Sequence, residues 1–234
     1  MRNEIESRKR AAAEAAAELA VDGMVLGLGT GSTAALALHA LAERVRRGLD
    51  IVGVPSSYAT EALARRLGIP LATLDEHATL DLTIDGADEV DPTLNLIKGA
   101  GGALLREKVL ASASRTVAIV VDDSKLVSQL GMRSALPVEV VPFALPVVTA
   151  RLAALGLQPT PRRDAGRLAT TDNGNHLVDC RTGPIGDPMA LDADIRALPG
   201  VVDHGLFLAL TSIVFIGGAG GRVGIQRLGE PASW

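Results

Sequence analysis

The feature that most constrains the fold is a short apolar run that ends in a glycine loop and opens a helix. Met24-Val25-Leu26-Gly27-Leu28 leads into Gly29-Thr30-Gly31-Ser32, and Thr33 to about Arg47 has helical composition. A run of that length bounded by glycine suits a strand buried on both faces, as in parallel sheets. The alternation then recurs. Ile51 to Val54, Leu80 to Ile84 and Thr116 to Val121 read as strands. Tyr58 to Leu67 reads as a helix, and Gly99 to Gly102 opens another that runs to about Ser114. Ala11 to Val21 is also helical in composition and stops at Asp22-Gly23. Strands alternating with helices predict an α/β fold, an open and mostly parallel sheet with helices on both faces.

The texture changes near Gly131. Pro137, Pro142, Pro146, Pro161, Pro184, Pro188 and Pro199 punctuate the next stretch, with short alternating segments such as Leu168 to Thr171 and His176 to Asp179. This predicts a small α+β domain at 132–204, inserted into the α/β domain formed by 1–131 and 205–234. The chain rejoins the main sheet at Ser212 to Ile216 and Arg222 to Leu228.

Composition narrows the function classes. The 234 residues are 47% hydrophobic and 21% charged, which supports a packed core. The balance of 23 basic and 27 acidic residues leaves no basic footprint for nucleic acid, and 2% aromatics offer no base-stacking platform. Cys180 is alone, so no intramolecular disulfide forms; it sits in a polar stretch without a nearby histidine and reads as a bystander. Arg8-Lys9-Arg10 before an alanine-rich run resembles a signal peptide, but Glu14 and Glu18 interrupt the run, so it reads as an amphipathic helix. The uncharged stretch from Gly205 to Gly221 is broken by Thr211, Ser212 and glycines. It falls short of the ~20 apolar residues that span a bilayer. The expectation is a soluble, cytoplasmic protein with no membrane or nucleic-acid partner.

A glycine loop between strand and helix is an anion site by physics, because amides and the positive end of the helix dipole face the ligand. Ser32 and Thr33 add hydroxyls. An ordinary turn in which Ser or Thr caps the helix is the other reading, and on this loop alone both stand. Two cofactor readings weaken. The dinucleotide fingerprint needs a glycine where Ser32 stands, counting from Gly27 and Gly29. A methyltransferase would place an acid at Gly27 and another at the end of the second strand, where Pro55 stands; Asp50 is at the wrong end.

Thr83-Ile84-Asp85-Gly86-Ala87-Asp88-Glu89 puts carboxylates just beyond a strand, where open α/β sheets bind ligands. A solvated Asp-Gly turn is the plain alternative. The EF-hand pattern fails, and His39, His77, His176 and His204 are scattered, so no metal site is predicted. Lys98-Gly99-Ala100-Gly101-Gly102 is a second anion-compatible loop with a lysine at its entrance. In the helix it opens, Glu107 has Ala103, Leu104, Leu110 and Ala111 at helical spacing. A carboxylate desolvated on such a face is pushed toward a useful base, and an ordinary surface helix acid is the plain alternative, the stronger one for Glu107 taken singly. Lys108 has similar neighbours, so periodicity does not choose between them. Proton transfer beside a carbonyl needs a carboxylate base, a cation for the oxygen and an anchor for a phosphate, and no cofactor.

These stretches together resemble the A-type ribose-5-phosphate isomerases. The resemblance rests on Gly27 to Thr33, Asp85 to Glu89, Lys98 to Lys108, Asp123-Ser124-Lys125 and Val201 to Phe207, in that order, and covers nearly the whole chain. It implies an aldose–ketose isomerase acting through an enediolate in the non-oxidative pentose phosphate pathway. It implies that Glu107 moves hydrogen between C1 and C2, Asp85 assists ring opening and handles hydroxyl protons, Lys98 stabilises the enediolate oxygen and Asp88 orients the sugar. The implied substrate site is Thr30, Gly31, Ser32, Thr33, Asp85, Gly86, Ala87, Asp88, Lys98, Gly99, Ala100, Gly101 and Lys125. The family works without metal or cofactor and forms homodimers or homotetramers. One departure is visible: family members commonly carry four successive glycines after the lysine, and Ala100 interrupts them here. Its methyl is tolerable unless that position needs positive φ. A sugar-phosphate deaminase or lactonase would carry a catalytic histidine near the acids, and a non-catalytic sugar-phosphate sensor often loses the acids; Asp85 and Glu107 are both present.

Overall fold

The computed structural model describes residues 2–230 and 232–233. In chain order, α1 (Arg2–Ala17) precedes β1 (Met24–Leu28), α2 (Ser32–Arg46), β2 (Ile51–Pro55), α3 (Tyr58–Leu67) and β3 (Leu80–Gly86). Two short strands come next, β4 (Glu89–Val90) and β5 (Leu96–Ile97), then α4 (Leu104–Ala113) and β6 (Ser114–Asp122). Beyond them lie β7 (Leu136–Val140), α5 (Leu145–Ala154), β8 (Gln158–Pro161), β9 (Arg163–Asp164), β10 (Arg167–Leu168) and β11 (His176–Arg181). The chain closes with α6 (Pro188–Arg196), β12 (Val201–His204), β13 (Leu206–Phe207), β14 (Ile213–Gly217) and β15 (Val223–Arg227).

These elements form two compact units. The first comprises 1–87, 106–126 and 209–234; the second comprises 88–105 and 127–208. The first unit holds a six-stranded sheet in the order β15-β14-β6-β3-β1-β2. All neighbours are parallel except β15, which runs antiparallel to β14 at the edge. The fold expected from the strand–helix alternation is the fold observed. Leu26, Leu28, Leu82, Ile84, Ala118 and Val120 are buried in one core cluster with Leu38 and Leu41 of α2. The alanine-rich helix has a structural task in this unit. Ala12, Ala13, Ala16 and Ala17 are fully buried, so small side chains let α1 lie close to the sheet. The approach is close enough that a Cβ on Gly217 of β14 would stand 2.0 Å from the Arg8 carbonyl.

The order β2-β1-β3 means that the chain leaves β1 in both directions across the sheet. That reversal opens a crevice beyond the carboxyl ends of β1 and β3, the usual ligand position in open α/β sheets. The loops after β1, β3 and β6 are neighbours there, because the three strands are adjacent.

The second unit holds an antiparallel sheet in the order β12-β7-β11-β8, a β9–β10 hairpin and a small sheet β13-β5-β4. Val138, Val140, Val148, Leu152, Val178 and Ile195 are buried in its core, with α5 and α6 supplying side chains. Two buried carboxylates organise its loops. Glu89 accepts from the amides of Gly131 (2.6 Å), Arg133 (2.6 Å) and Ser134 (2.5 Å), which fastens the 131–134 turn. Glu139 on β7 accepts from Thr171, Asn173 and Asn175.

Candidate active site

The first unit carries most of the residues expected at the site. β1 ends at Leu28, and Gly29 passes directly over the Asp85 carboxylate of β3. A Cβ on Gly29 would stand 2.2 Å from Asp85 Oδ1, so only glycine fits. Asp85 is 2% exposed. Its Oδ1 accepts from the Thr30 amide (3.2 Å) and the Gly86 amide (2.7 Å), which binds the acidic loop to the glycine loop. Gly86 is close to the same loop, since a Cβ there would be 3.6 Å from Thr33 Cβ. Ala87 is the next residue and is half-buried.

Gly29→Ala should therefore drive a methyl into Asp85. Overpacking of this kind costs about 1–3 kcal/mol. Displacing the carboxylate should also lower kcat/KM by roughly 10²-fold. Thermal melting with steady-state assay checks both; wild-type values for the variant would remove the close approach from the account.

The two readings of the first loop can now be separated. The N-cap of α2 is Gly31, with φ 104° and ψ 179°, and no side chain caps the helix. The left-handed φ explains the glycine. Thr30 does not serve as a free hydroxyl either. Its Oγ1 lies 2.7 Å from Ser56 Oγ, 2.8 Å from Ser57 Oγ and 3.0 Å from Thr60 Oγ1. Thr60 in turn donates to the Gly29 carbonyl at 2.9 Å, so this hydroxyl cluster holds the loop in shape. The exposed Ser32 and half-buried Thr33 stand in the first turn of α2, where the helix dipole favours an anion.

A lysine that no sequence motif singles out also stands here. Lys9 Nζ lies 3.5 Å from Ser32 Oγ and 3.9 Å from Asp122 Oδ2. Asp122 is 1% exposed, at the end of β6. In sequence Lys9 is only the middle of a basic triplet, and nothing there points it at a loop 23 residues on. Its neighbour Arg8 ties α1 to the turn after β6 through Asp123 at 2.8 Å. Lys125 ends that turn, the short 3-10 helix Asp123–Lys125.

Glu107 lies in the first turn of α4. That helix runs straight into β6, so its start lies toward the carboxyl edge of the sheet. Glu107 is 5% exposed, and Lys108 beside it is 7% exposed. Burial therefore does not choose between them, and neither does periodicity.

The second unit carries the remainder. Asp88 accepts the Ala100 amide at 2.9 Å on Oδ2 and donates its own N–H to the Ile97 carbonyl at 2.8 Å. Lys98 comes directly after β5 and is 3% exposed. Its N–H donates to the Gly205 carbonyl at 2.9 Å, and its Nζ lies 5.4 Å from the Phe207 ring centroid on β13. A cation over an aromatic face is held by the ring quadrupole. Gly99 and Gly102 have φ of 103° and 85°, and the Gly102 N–H closes the turn on the Gly99 carbonyl at 3.0 Å. Ala100 is not among the positive-φ residues, so its methyl leaves the loop path intact. Gly101 is exposed.

Cys180 is buried, and desolvation pushes its thiol up to about 12, which rules out a thiolate nucleophile. Among the described residues, no group of three or more His, Cys, Asp or Glu could hold a metal ion. No helix among them is long and apolar enough to cross a membrane.

Comparison with known proteins identifies the family. The sequence model of ribose 5-phosphate isomerase A (phosphoriboisomerase A) matches residues 52–221. Ribose-5-phosphate isomerase A of Chloroflexus aurantiacus is 56% identical over 220 residues, covering 92% of each chain. A D-ribose-5-phosphate isomerase solved in complex with phospho-erythronic acid superposes with a TM-score of 0.92 at 38% identity, over 95% of this chain and 99% of that one. Ribose 5-phosphate isomerase from Plasmodium falciparum gives a TM-score of 0.92 at 40% identity, over 96% and 100%. This chain belongs to the ribose 5-phosphate isomerase A family.

Proposed function

We propose that this chain interconverts D-ribose 5-phosphate and D-ribulose 5-phosphate through an enediolate, with Glu107 as the group that carries the hydrogen. Glu107 takes the proton from C2 of the open-chain aldose and returns it to C1; the reverse reaction takes it from C1. Asp85 assists opening of the furanose and moves the hydroxyl protons. Lys98 stabilises the negative charge that develops on the oxygen, a role that gains strength in a dry site. Asp88 orients the sugar and holds the glycine loop through the Ala100 amide. The phosphate is anchored at the start of α2 by the 31–33 amides, Ser32, Thr33 and Lys9, with Lys125 adding charge.

The observation that carries the base assignment is the place of Glu107, a carboxylate in the first turn of α4, whose start lies toward the carboxyl edge of the sheet; Lys108 beside it is equally buried but carries no carboxylate. The family supports the reaction, and phospho-erythronic acid, bound in a similar structure, is a phosphorylated acid of the kind that such a site accepts. We place the protein in the cytoplasm, in the non-oxidative branch of the pentose phosphate pathway, as a homodimer or homotetramer without nucleic-acid or membrane partners. Phe143, 96% exposed, and Val147, 59% exposed, form apolar surface that a second copy would cover.

Purified protein with nothing added should convert ribose 5-phosphate to ribulose 5-phosphate, monitored by NMR. Activity should survive exhaustive dialysis against EDTA. No ribulose 5-phosphate would end the activity assignment; loss on dialysis, restored by Mg²⁺, Mn²⁺ or Zn²⁺, would end only its metal independence.

A further inference from the structure

The second unit holds a half-buried charge pair that no part of the proposed chemistry uses. Arg162, between β8 and β9, has its guanidinium divided between two tasks. Nε and Nη2 bind the two oxygens of Asp179 on β11 at 2.8 and 2.5 Å, a bidentate grip. Nη1 donates to the carbonyls of Gly99 (3.2 Å) and Ala100 (3.0 Å), inside the loop that begins after Lys98. The backbone of Arg162 is itself fixed, its N–H donating to the Leu177 carbonyl at 2.8 Å and its carbonyl accepting from Ala169 at 2.9 Å.

The consequence lies in peptide geometry. A trans peptide points its N–H opposite to its C=O. With the Gly99 carbonyl turned to Arg162, the Ala100 N–H faces the other way, where Asp88 accepts it. With the Ala100 carbonyl turned to Arg162, the Gly101 N–H is aimed away from the guanidinium. Among the described residues no hydrogen bond holds that N–H. Glycines at 99, 101 and 102 make these peptides easy to flip, because either hand of φ is open to them. One guanidinium thus fixes two successive peptide planes, and a lysine ammonium has no planar fork with which to do so.

We propose that Arg162, braced by Asp179, is a positioning residue for the reaction: it locks the 99–101 peptides so that the loop presents Lys98 and the Gly101 amide in the productive orientation. The proposal rests on Lys98 acting in the isomerisation.

The surroundings of Arg162 make this testable by chemical rescue. Its guanidinium borders a cleft of about 560 Å³, also lined by Ala100, Pro137, Thr160, Asp179 and Arg181. Truncation to Arg162→Ala leaves room that free guanidinium can enter. Arg162→Ala should lower kcat on the order of 10²-fold, the scale of a 1 Å misplacement, with KM for ribose 5-phosphate moved much less. Guanidinium chloride at tens of millimolar should recover at least a tenth of the loss, and urea or sodium chloride at the same concentration none. Arg162→Lys, which keeps charge and stem, should melt near the wild-type temperature yet remain at least ~10-fold slow, since one ammonium cannot span Asp179 and two carbonyls. Lys98→Met should be slow, and adding Arg162→Ala to it should cost little more, because residues acting as one unit are not additive.

Arg162→Lys at wild-type kcat, or a folded Arg162→Ala enzyme that guanidinium does not recover, would overturn the proposal while a slow Lys98→Met enzyme left the reaction assignment standing. Lys98→Met at wild-type kcat would remove the premise and the proposal together.

Discussion

Glu107→Gln should reduce kcat by at least 10²-fold, and by as much as about 10⁴-fold, the range for loss of a general base. Binding of the sugar phosphate should be largely retained. The amide keeps the size and shape of the carboxylate but cannot take a proton from carbon and hold it through the enediol stage. Glu107 lies in the first turn of a ten-residue helix and is nearly fully buried. The substitution therefore leaves the packing of α4 in place, and a melting temperature near wild type would show that chemistry, not folding, was lost. The same substitutions at the aspartates discriminate between roles. Asp85 already accepts two backbone amides on one oxygen, those of Thr30 and Gly86. Asp85→Asn would place an amide donor or a poorer acceptor against those N–H groups. It should disturb the loop as well as the rate.

Free ribose should be a very poor substrate, at least ~10³-fold lower in kcat/KM than ribose 5-phosphate, equivalent to about 4 kcal/mol of transition-state stabilisation. The phosphate does not react, so its binding energy serves to hold the sugar in the reactive geometry. The first turn of α2 has the means for this. Its N-cap is a glycine with no side-chain cap, so the helix amides are not already engaged by a capping group. Lys9 stands 3.5 Å from Ser32 Oγ and is steadied by the buried Asp122. Lys9→Met should raise KM for ribose 5-phosphate while leaving the rate with free ribose unchanged. A kcat/KM for ribose within about tenfold of ribose 5-phosphate, only ~1.4 kcal/mol, would contradict the anchor.

Much of the first unit is legible in the sequence because its signals are local. Short apolar runs alternating with helical stretches name the strands, and β1, β2, β3, β6 and β14 fall where those runs stand. The N-terminal helix is legible in kind but not in length: alanine composition points to 11–21, whereas α1 occupies Arg2–Ala17. Its start is rich in charged residues whose pairing, such as Arg8 with Asp123, depends on the tertiary fold. The second unit is legible only in texture. Its grouping of 88–105 with 127–208 rests on long-range ties, Glu89 to the 131–134 amides and Lys98 to Gly205, that no periodicity encodes.

The candidate residues show the same division. Asp85, Gly86 and the 29–33 loop can be read as neighbours because they end adjacent strands. Lys9 and Arg162 cannot, since each reaches a glycine loop by a long side chain from a distant segment. The family resemblance implies a Thr30 that faces substrate, yet Ser56, Ser57 and Thr60 engage its hydroxyl. Those three belong to a strand–helix turn whose sequence gives no sign of turning toward β1. The question raised by Ala100 is settled by its backbone, which is outside the left-handed region that glycine alone occupies easily.

The central claim is that one carboxylate, Glu107, carries hydrogen between C1 and C2, and solvent exchange tests it without reference to turnover. Ribose 5-phosphate incubated in D₂O with wild-type protein should gain deuterium at the transferred position, detected by NMR, because the protonated carboxyl exchanges with solvent during the enediol stage. With Glu107→Gln that incorporation should disappear while binding of the sugar phosphate persists. A Glu107→Gln protein that still exchanged this hydrogen at near wild-type rate would contradict the account and move the base to Asp85 or Asp88.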